Sequence, residues 1–119
     1  MVKRGERRDD RRGTLVTGPR QGEVWWAQAE DKRRPVLIIT RSDVIGVLNR
    51  IVVAPVTRTV RTIPTEIRLG PDDGLPTECA ASFDNLQPIN RHLLTERLAL
   101  LDAARRHEIC DALAALADC

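Results

Sequence analysis

The chain has 119 residues, 19 basic and 17 acidic side chains, a net charge of +2 and only three aromatic residues. Its length suits one domain with its own core, and no apolar run approaches the roughly 18 residues that a membrane-spanning helix needs. Three cysteines, Cys79, Cys110 and Cys119, fit neither a CxxC pair nor a Cys/His zinc spacing. Their odd number, and the lack of an apolar segment before the charged opening stretch, lead us to expect free thiols in a reducing cytoplasm.

Residues 1–20 carry seven basic and three acidic side chains, a net +4, and little apolar content. We read them as a disordered basic arm. Gly18-Pro19 marks its end, and residues 21–119 form the domain. That domain holds the remaining twelve basic and fourteen acidic side chains, a net −2, so any nucleic-acid footprint on it must be a local patch. Seventeen of the nineteen cations are Arg, which grips phosphate bidentately where Lys cannot.

In chain order, β-branched apolar runs predict a first strand over 23–29 and a second over 35–41, joined by a turn from Glu30 to Arg33. Ser42 to Asn49 reads as a loop or short helical turn. A third strand covers 51–57 and ends in a basic loop, 58–64. The fourth strand, 65–69, alternates Thr, Glu, Ile, Arg, Leu, so Glu66 and Arg68 belong to a wet face. Pro71-Asp72-Asp73-Gly74 is a turn signal. A fifth strand follows at 78–83, then an irregular stretch with one 3₁₀ turn near Asn90 to Leu94, and a last strand at 97–101. Asp102 is a good N-cap for a helix over 103–117, whose inner face carries Ile109, Ala112, Leu113 and Leu116. The fold class is mostly β, a small curled sheet or partly open barrel, with a C-terminal helix packed on it.

Two strand ends carry the chemistry. Lys32-Arg33-Arg34 opens the second strand, and Thr57 closes the third. If these strands pair antiparallel, Arg34 and Thr57 meet at one end of the sheet. A guanidinium beside a hydroxyl is suited to a phosphodiester, offering charge neutralisation and a hydrogen-bond donor. Arg58 and Arg61 follow in the basic loop and could flank a nucleic-acid strand. Asn85 could read a base edge. Adjacent Trp25 and Trp26 must face opposite sides of their strand. One packs in the core, and the more exposed one serves a dimer contact better than base stacking. Phe83 reads as core. His92 and His107 have no visible partner and are not assigned as catalytic bases.

The same residues resemble the MazF/PemK-like toxins. Gly22-Glu23-Val24-Trp25-Trp26-Ala27, Arg34-Pro35-Val36-Leu37, Val53-Ala54-Pro55-Val56-Thr57 and Ile63-Pro64-Thr65-Glu66-Ile67 occur in that family's order and spacing, across residues 22–118. The resemblance implies an SH3-like barrel of the MazF/CcdB type. It also implies the toxin of a type II toxin–antitoxin pair, a metal-independent and sequence-specific endoribonuclease acting on single-stranded RNA, including mRNA. Arg34 aligns with the family's catalytic arginine and is expected to stabilise the phosphorane. Thr57 is expected to hydrogen-bond the phosphate, and Lys32, Arg33, Arg58, Arg61 and Asn85 to bind RNA. No cofactor or metal is expected. The implied partners are a second copy of the chain and an antitoxin whose acidic C-terminal segment occupies the RNA groove.

The first hairpin is shorter than in many members, with only Gln28 to Arg33 before the Arg-Pro pair. Neither Glu30 nor Asp31 aligns securely with the family's usual acid there, so the general base and the cleavage sequence are unassigned. The alternative is a CcdB-like toxin that binds a protein target such as gyrase, or an RNA-binding module that does not cut. Retention of the Arg-Pro-Val and Pro-Val-Thr elements favours the nuclease.

Overall fold

The computed structural model describes residues 18–117. The proposed arm falls outside them apart from its last three residues. The strands are β1 (Glu23–Ala29), β2 (Lys32–Ile38), β3 (Arg50–Thr57), β4 (Glu66–Leu69), β5 (Cys79–Ser82), β6 (Gln87–Asn90) and β7 (Leu94–Leu100). The helices are α1 (Ser42–Ile45) and α2 (His107–Leu116). All pairings are antiparallel, in the order β4-β5-β3-β2-β1-β7, with β6 also on β3. β3 pairs with β6 along its first half and with β5 at Val56 and Thr57. That change of partner curls the sheet into a partly open barrel.

Both faces of the sheet are covered. Leu37 and Ile39 enter a core with Val24, Ala54, Ile67, Phe83 and, from α2, Ile109 and Ala112. Val36 and Ile38 enter a second core with Ala27, Ile45, Ile51 and Val53. The period-2 alternation of a strand makes this possible, because a continuous apolar run feeds two cores at once. Trp25 packs against the second core and Trp26 turns to the other side, but neither ring is fully buried. Phe83 is fully buried.

Several boundaries differ from the sequence reading. The first turn is only Glu30-Asp31, with Ala29 paired to Lys32 and Glu30 at φ 52°, so Lys32, Arg33 and Arg34 lie in β2 itself. β2 stops at Ile38 because the Thr40 hydroxyl, 2.7 Å away, takes the Val52 N–H. β5 ends at Ser82, and Phe83–Asn85 form a 3₁₀ turn. β6 was not expected. Gln87-Pro88-Ile89-Asn90 has one half-buried apolar residue and a proline, which an edge strand tolerates. β7 starts three residues early, at Leu94. Asp102 caps a 3₁₀ turn, Ala103–Arg105, by accepting from Ala104 N at 3.1 Å, and α2 begins only at His107. Leu116 is exposed rather than on the packed face.

The Gly-Glu-Val-Trp opening is a structural clamp. Glu23 is buried. Its Oε1 accepts from Arg20 N and from Trp25 Nε1, each at 2.9 Å, and its Oε2 from Arg97 Nη1 at 3.2 Å. Gly22 sits at φ +89°, and a Cβ there would lie 2.6 Å from Arg106 Nε. At the other end Arg105 joins α2 to the β4–β5 connection. It binds Asp73 at 2.8 Å, Glu108 at 2.8 and 3.0 Å, and the Arg68 carbonyl at 2.6 Å. The hydrogen bond from Arg105 holds the Glu108 carboxyl below its ordinary value.

Two stability outcomes follow from these clamps. Glu23→Ala strands the Trp25 and Arg20 donors and is expected to cost about 1–3 kcal/mol in urea unfolding. A depressed carboxylate stabilises the fold above its unfolded pKa, and that contribution is lost as pH falls through the lower folded value. The urea midpoint should therefore drop below about pH 4.5, the ordinary Glu108 value, and part of that drop should vanish in Glu108→Gln.

Candidate active site

Where the cores end, the sheet continues for a few residues with polar side chains. The β2–β3 register pairs Val36 with Pro55 and Leu37 with Ala54, and continued outward it sets Arg34 opposite Thr57. These two residues line one recess of about 360 Å³ with Arg58, Arg61, Ser82 and Asn85. β3 delivers Thr57, the following loop Arg58 and Arg61, β5 Ser82, and the 3₁₀ turn Asn85. Three guanidinium side chains thus converge, and no carboxylate is among the lining residues. The Thr57 hydroxyl oxygen accepts from Thr59 N at 3.2 Å, which leaves its proton to donate into the recess. Asn85 Nδ2 donates to Ser82 Oγ at 3.0 Å, so its carbonyl oxygen remains available as an acceptor.

Lys32 and Arg33 do not line this recess. Alternation sends Arg33 to the opposite face from Arg34. There its guanidinium stacks 4.4 Å from the Trp26 ring centroid and lies 3.7 Å from Glu96. Trp26, Pro35, Val56, Leu75, Pro76 and Leu98 line an apolar cleft of about 330 Å³ on that face, and it shares Thr57 and Arg58 with the polar recess. Glu30 and Asp31 are exposed at the hairpin tip, and among the described residues neither joins an ion pair. His92 is exposed, and His107 contacts Asp111 at 4.0 Å within α2, far along the chain from the recess residues. Among the described residues no three His, Cys, Asp or Glu side chains converge to hold a metal ion.

One residue behind the recess departs from the sequence expectation. Glu66 pairs with Ser82 across β4 and β5, and its side chain is only 2% exposed although strand alternation assigns it to a wet face. Its Oε1 accepts from Arg61 N at 2.9 Å and Thr62 N at 3.1 Å. Its Oε2 is buried with no hydrogen-bond partner and lies 3.7 Å from Arg61 Nη1. Thr62 is held at φ 58°, a conformation that costs a non-glycine residue about 1–3 kcal/mol and persists only where neighbours enforce it. The signal available in sequence is a carboxylate five residues after the last arginine of a basic stretch, which alone does not indicate burial. Thr65 and Asp84 brace the same corner through a 2.6 Å hydrogen bond.

The fold is thus a curled antiparallel sheet with a C-terminal helix, and it carries a cationic recess at the paired ends of two central strands. The model of the PemK-like, MazF-like toxins of type II toxin–antitoxin systems matches residues 20–117, and the chain belongs to that family. The probable endoribonuclease MazF5 of Mycobacterium tuberculosis is 39% identical over 103 residues, covering 85% of this chain and 94% of that protein. The solved M. tuberculosis toxin MazF-mt6 superposes with a TM-score of 0.72 at 35% identity, covering 78% of this chain and 93% of that one. A mycobacterial endoribonuclease solved in complex with its cognate antitoxin superposes with a TM-score of 0.71 at 28% identity, covering 82% and 93%.

Proposed function

We propose that this MazF-type toxin cuts single-stranded RNA, mRNA included, at the recess between the ends of β2 and β3. The observation that carries the reading is the joint lining of that recess by Arg34, Thr57, Arg58 and Arg61 without a carboxylate. An endoribonuclease of this kind needs no external nucleophile, because RNA supplies its own 2′-OH. That oxygen attacks the adjacent phosphorus, and the 5′-oxygen leaves. The protein's task is to hold the strand and to neutralise charge growing on the non-bridging oxygens.

Arg34 takes the developing phosphorane charge, and the Thr57 hydroxyl donates to the same phosphate. A guanidinium stays protonated and offers no lone pair to accept a proton, so Arg34 acts as an electrostatic and hydrogen-bonding group and not as a base. Arg58 and Arg61 bind the flanking phosphates. Asn85 offers an amide edge to an unstacked base, the kind of contact that gives sequence preference on single strands. The toxin acts in the cytoplasm as a homodimer, and an acidic segment of its antitoxin silences it by filling the cationic recess. No helix among the described residues is long and apolar enough to cross a membrane.

Arg34→Ala should fold normally, since the side chain is exposed, and should lose about 3–4 kcal/mol of transition-state stabilisation, some 10²–10³ in kcat. Thr57→Val, which keeps shape but removes the hydroxyl, should lose less. Arg33→Ala, on the opposite face, should cost far less than Arg34→Ala. A gel assay on single-stranded RNA separates these outcomes, and full activity in folded Arg34→Ala refutes the mechanism.

Cutting should persist in excess EDTA and leave a 2′,3′-cyclic phosphate or 3′-phosphate with a 5′-hydroxyl. A 2′-deoxy nucleotide at the scissile position should block cleavage while sparing binding. Mass spectrometry of the fragments checks the ends, and cutting of the 2′-deoxy substrate would exclude 2′-OH attack.

A further inference from the structure

The Arg58–Thr65 connection carries two of the recess's three cations but no regular secondary structure. Among the hydrogen bonds of the described residues, the fixed points of its middle run to one buried carboxylate. Glu66 Oε1 accepts from the consecutive amides of Arg61 and Thr62, and Thr62 keeps its left-handed backbone beneath that clamp. Glu66 Oε2, buried and unpartnered, faces the Arg61 guanidinium at 3.7 Å, beyond hydrogen-bond length. The Arg61 side chain stays 56% exposed and lines the recess.

We infer that Glu66 is a positioning residue for RNA cleavage: it anchors the Arg61–Thr62 backbone and holds the Arg61 guanidinium at the recess rim without capturing it. The inference rests on the proposed RNA reading of the recess. The arrangement suits a group that must pass from protein to ligand. A carboxylate making a bidentate bond to Arg61 would compete with phosphate, because such paired bonds are the strong ones. A carboxylate spent on the backbone, with its second oxygen merely near the guanidinium, biases Arg61 toward the recess and leaves its donors free. The positive φ at Thr62 is the backbone cost of presenting two successive amides to one oxygen.

The opposing view is that Glu66 only caps a loop. The two views differ in the sign of one measurement. A buried negative charge that simply lies behind a phosphate site repels the substrate, so neutralising it lowers KM. If Glu66 positions Arg61, neutralising it raises KM despite the removed repulsion.

The test compares wild type, Glu66→Gln, Glu66→Ala, Arg61→Ala and Arg61→Ala/Glu66→Gln, with kcat and KM measured separately on a single-stranded RNA. Hydrogen exchange of the Arg61 and Thr62 amides is followed without RNA. Glu66→Gln keeps an oxygen for both amides and should retain their protection and most of kcat, with KM raised. Glu66→Ala should speed exchange at both amides and lower kcat/KM by about tenfold or more, since misplacing a binding group by an ångström is costly. In the Arg61→Ala background, Glu66→Gln should no longer raise KM, because the partner it positions is gone.

Unchanged exchange in Glu66→Ala, a lowered KM in Glu66→Gln, or simple additivity with Arg61→Ala would each overturn the inference. If Glu66→Ala does not fold, the Glu66→Gln pair of measurements still decides it. A wild-type protein that cuts no RNA would overturn the RNA reading, and the positioning role with it, before any substitution is compared.

Discussion

Where a strand is buried on both faces it has no free side for chemistry, and the second half of β2 is such a stretch. Val36 to Ile39 alternate between two cores, and in β3 Ile51 and Val53 enter one core and Ala54 the other, while Val52 is exposed. Function is therefore confined to the strand ends, where the cores run out and alternation continues. Past Pro35 the same geometry that fed two cores sends Arg34 to one side and Arg33 to the other. One becomes part of a polar recess, and the other stacks on Trp26 beside an apolar cleft. The division between a cationic, polar face and an apolar face follows from a period of two residues.

The electrostatics depend on where the carboxylates go. Residues 21–119 are slightly acidic overall, yet Arg34, Arg58 and Arg61 share a recess whose lining has no acid. The acids near Arg side chains are engaged elsewhere. Glu23 holds Arg97 and Trp25, and Asp73 and Glu108 hold Arg105, whose guanidinium is stabilised further by the Glu108 hydrogen bond. Among the described residues Glu66 is the one acid ion-paired with a recess cation, and its oxygens are spent on backbone amides or held off at 3.7 Å. A positive patch can thus form on a nearly neutral domain because neighbouring acids are engaged away from it.

How much of this was legible in the sequence depends on the kind of signal. β1 to β3 came from apolar, β-branched runs, because burial on both faces leaves a continuous hydrophobic record. The pairing of Arg34 with Thr57 could be proposed from those runs, since antiparallel register carries one strand's start to the other's end. β6 left no such record: its value is in backbone bonds to β3, and Gln87 and Pro88 show nothing of that. Asp102 was a true cap whose turn proved to be 3₁₀, because a single capping oxygen fixes where a turn begins and not its pitch. Glu66 was assigned to solvent by alternation. Its burial is decided by the loop folding over it, a tertiary fact that no local period encodes.

A shared motif does not by itself mark a shared site. The Gly-Glu-Val-Trp opening carries the family resemblance together with the Arg-Pro and Pro-Val-Thr elements, yet its residues build a buried clamp and do not line the recess. Gly22 is required by a positive φ and the approach of Arg106, and Glu23 by two donors that burial would otherwise strand. Arg34 and Thr57 themselves have no comparable structural need. Arg34 is exposed and makes no ion pair among the described residues, and the Thr57 hydroxyl keeps its proton unspent. A motif residue whose hydrogen bonds are complete within the fold is explained by stability. One that keeps donors pointed into a recess still has a partner to meet, and this unspent bonding capacity separates the two groups more sharply than the motifs themselves.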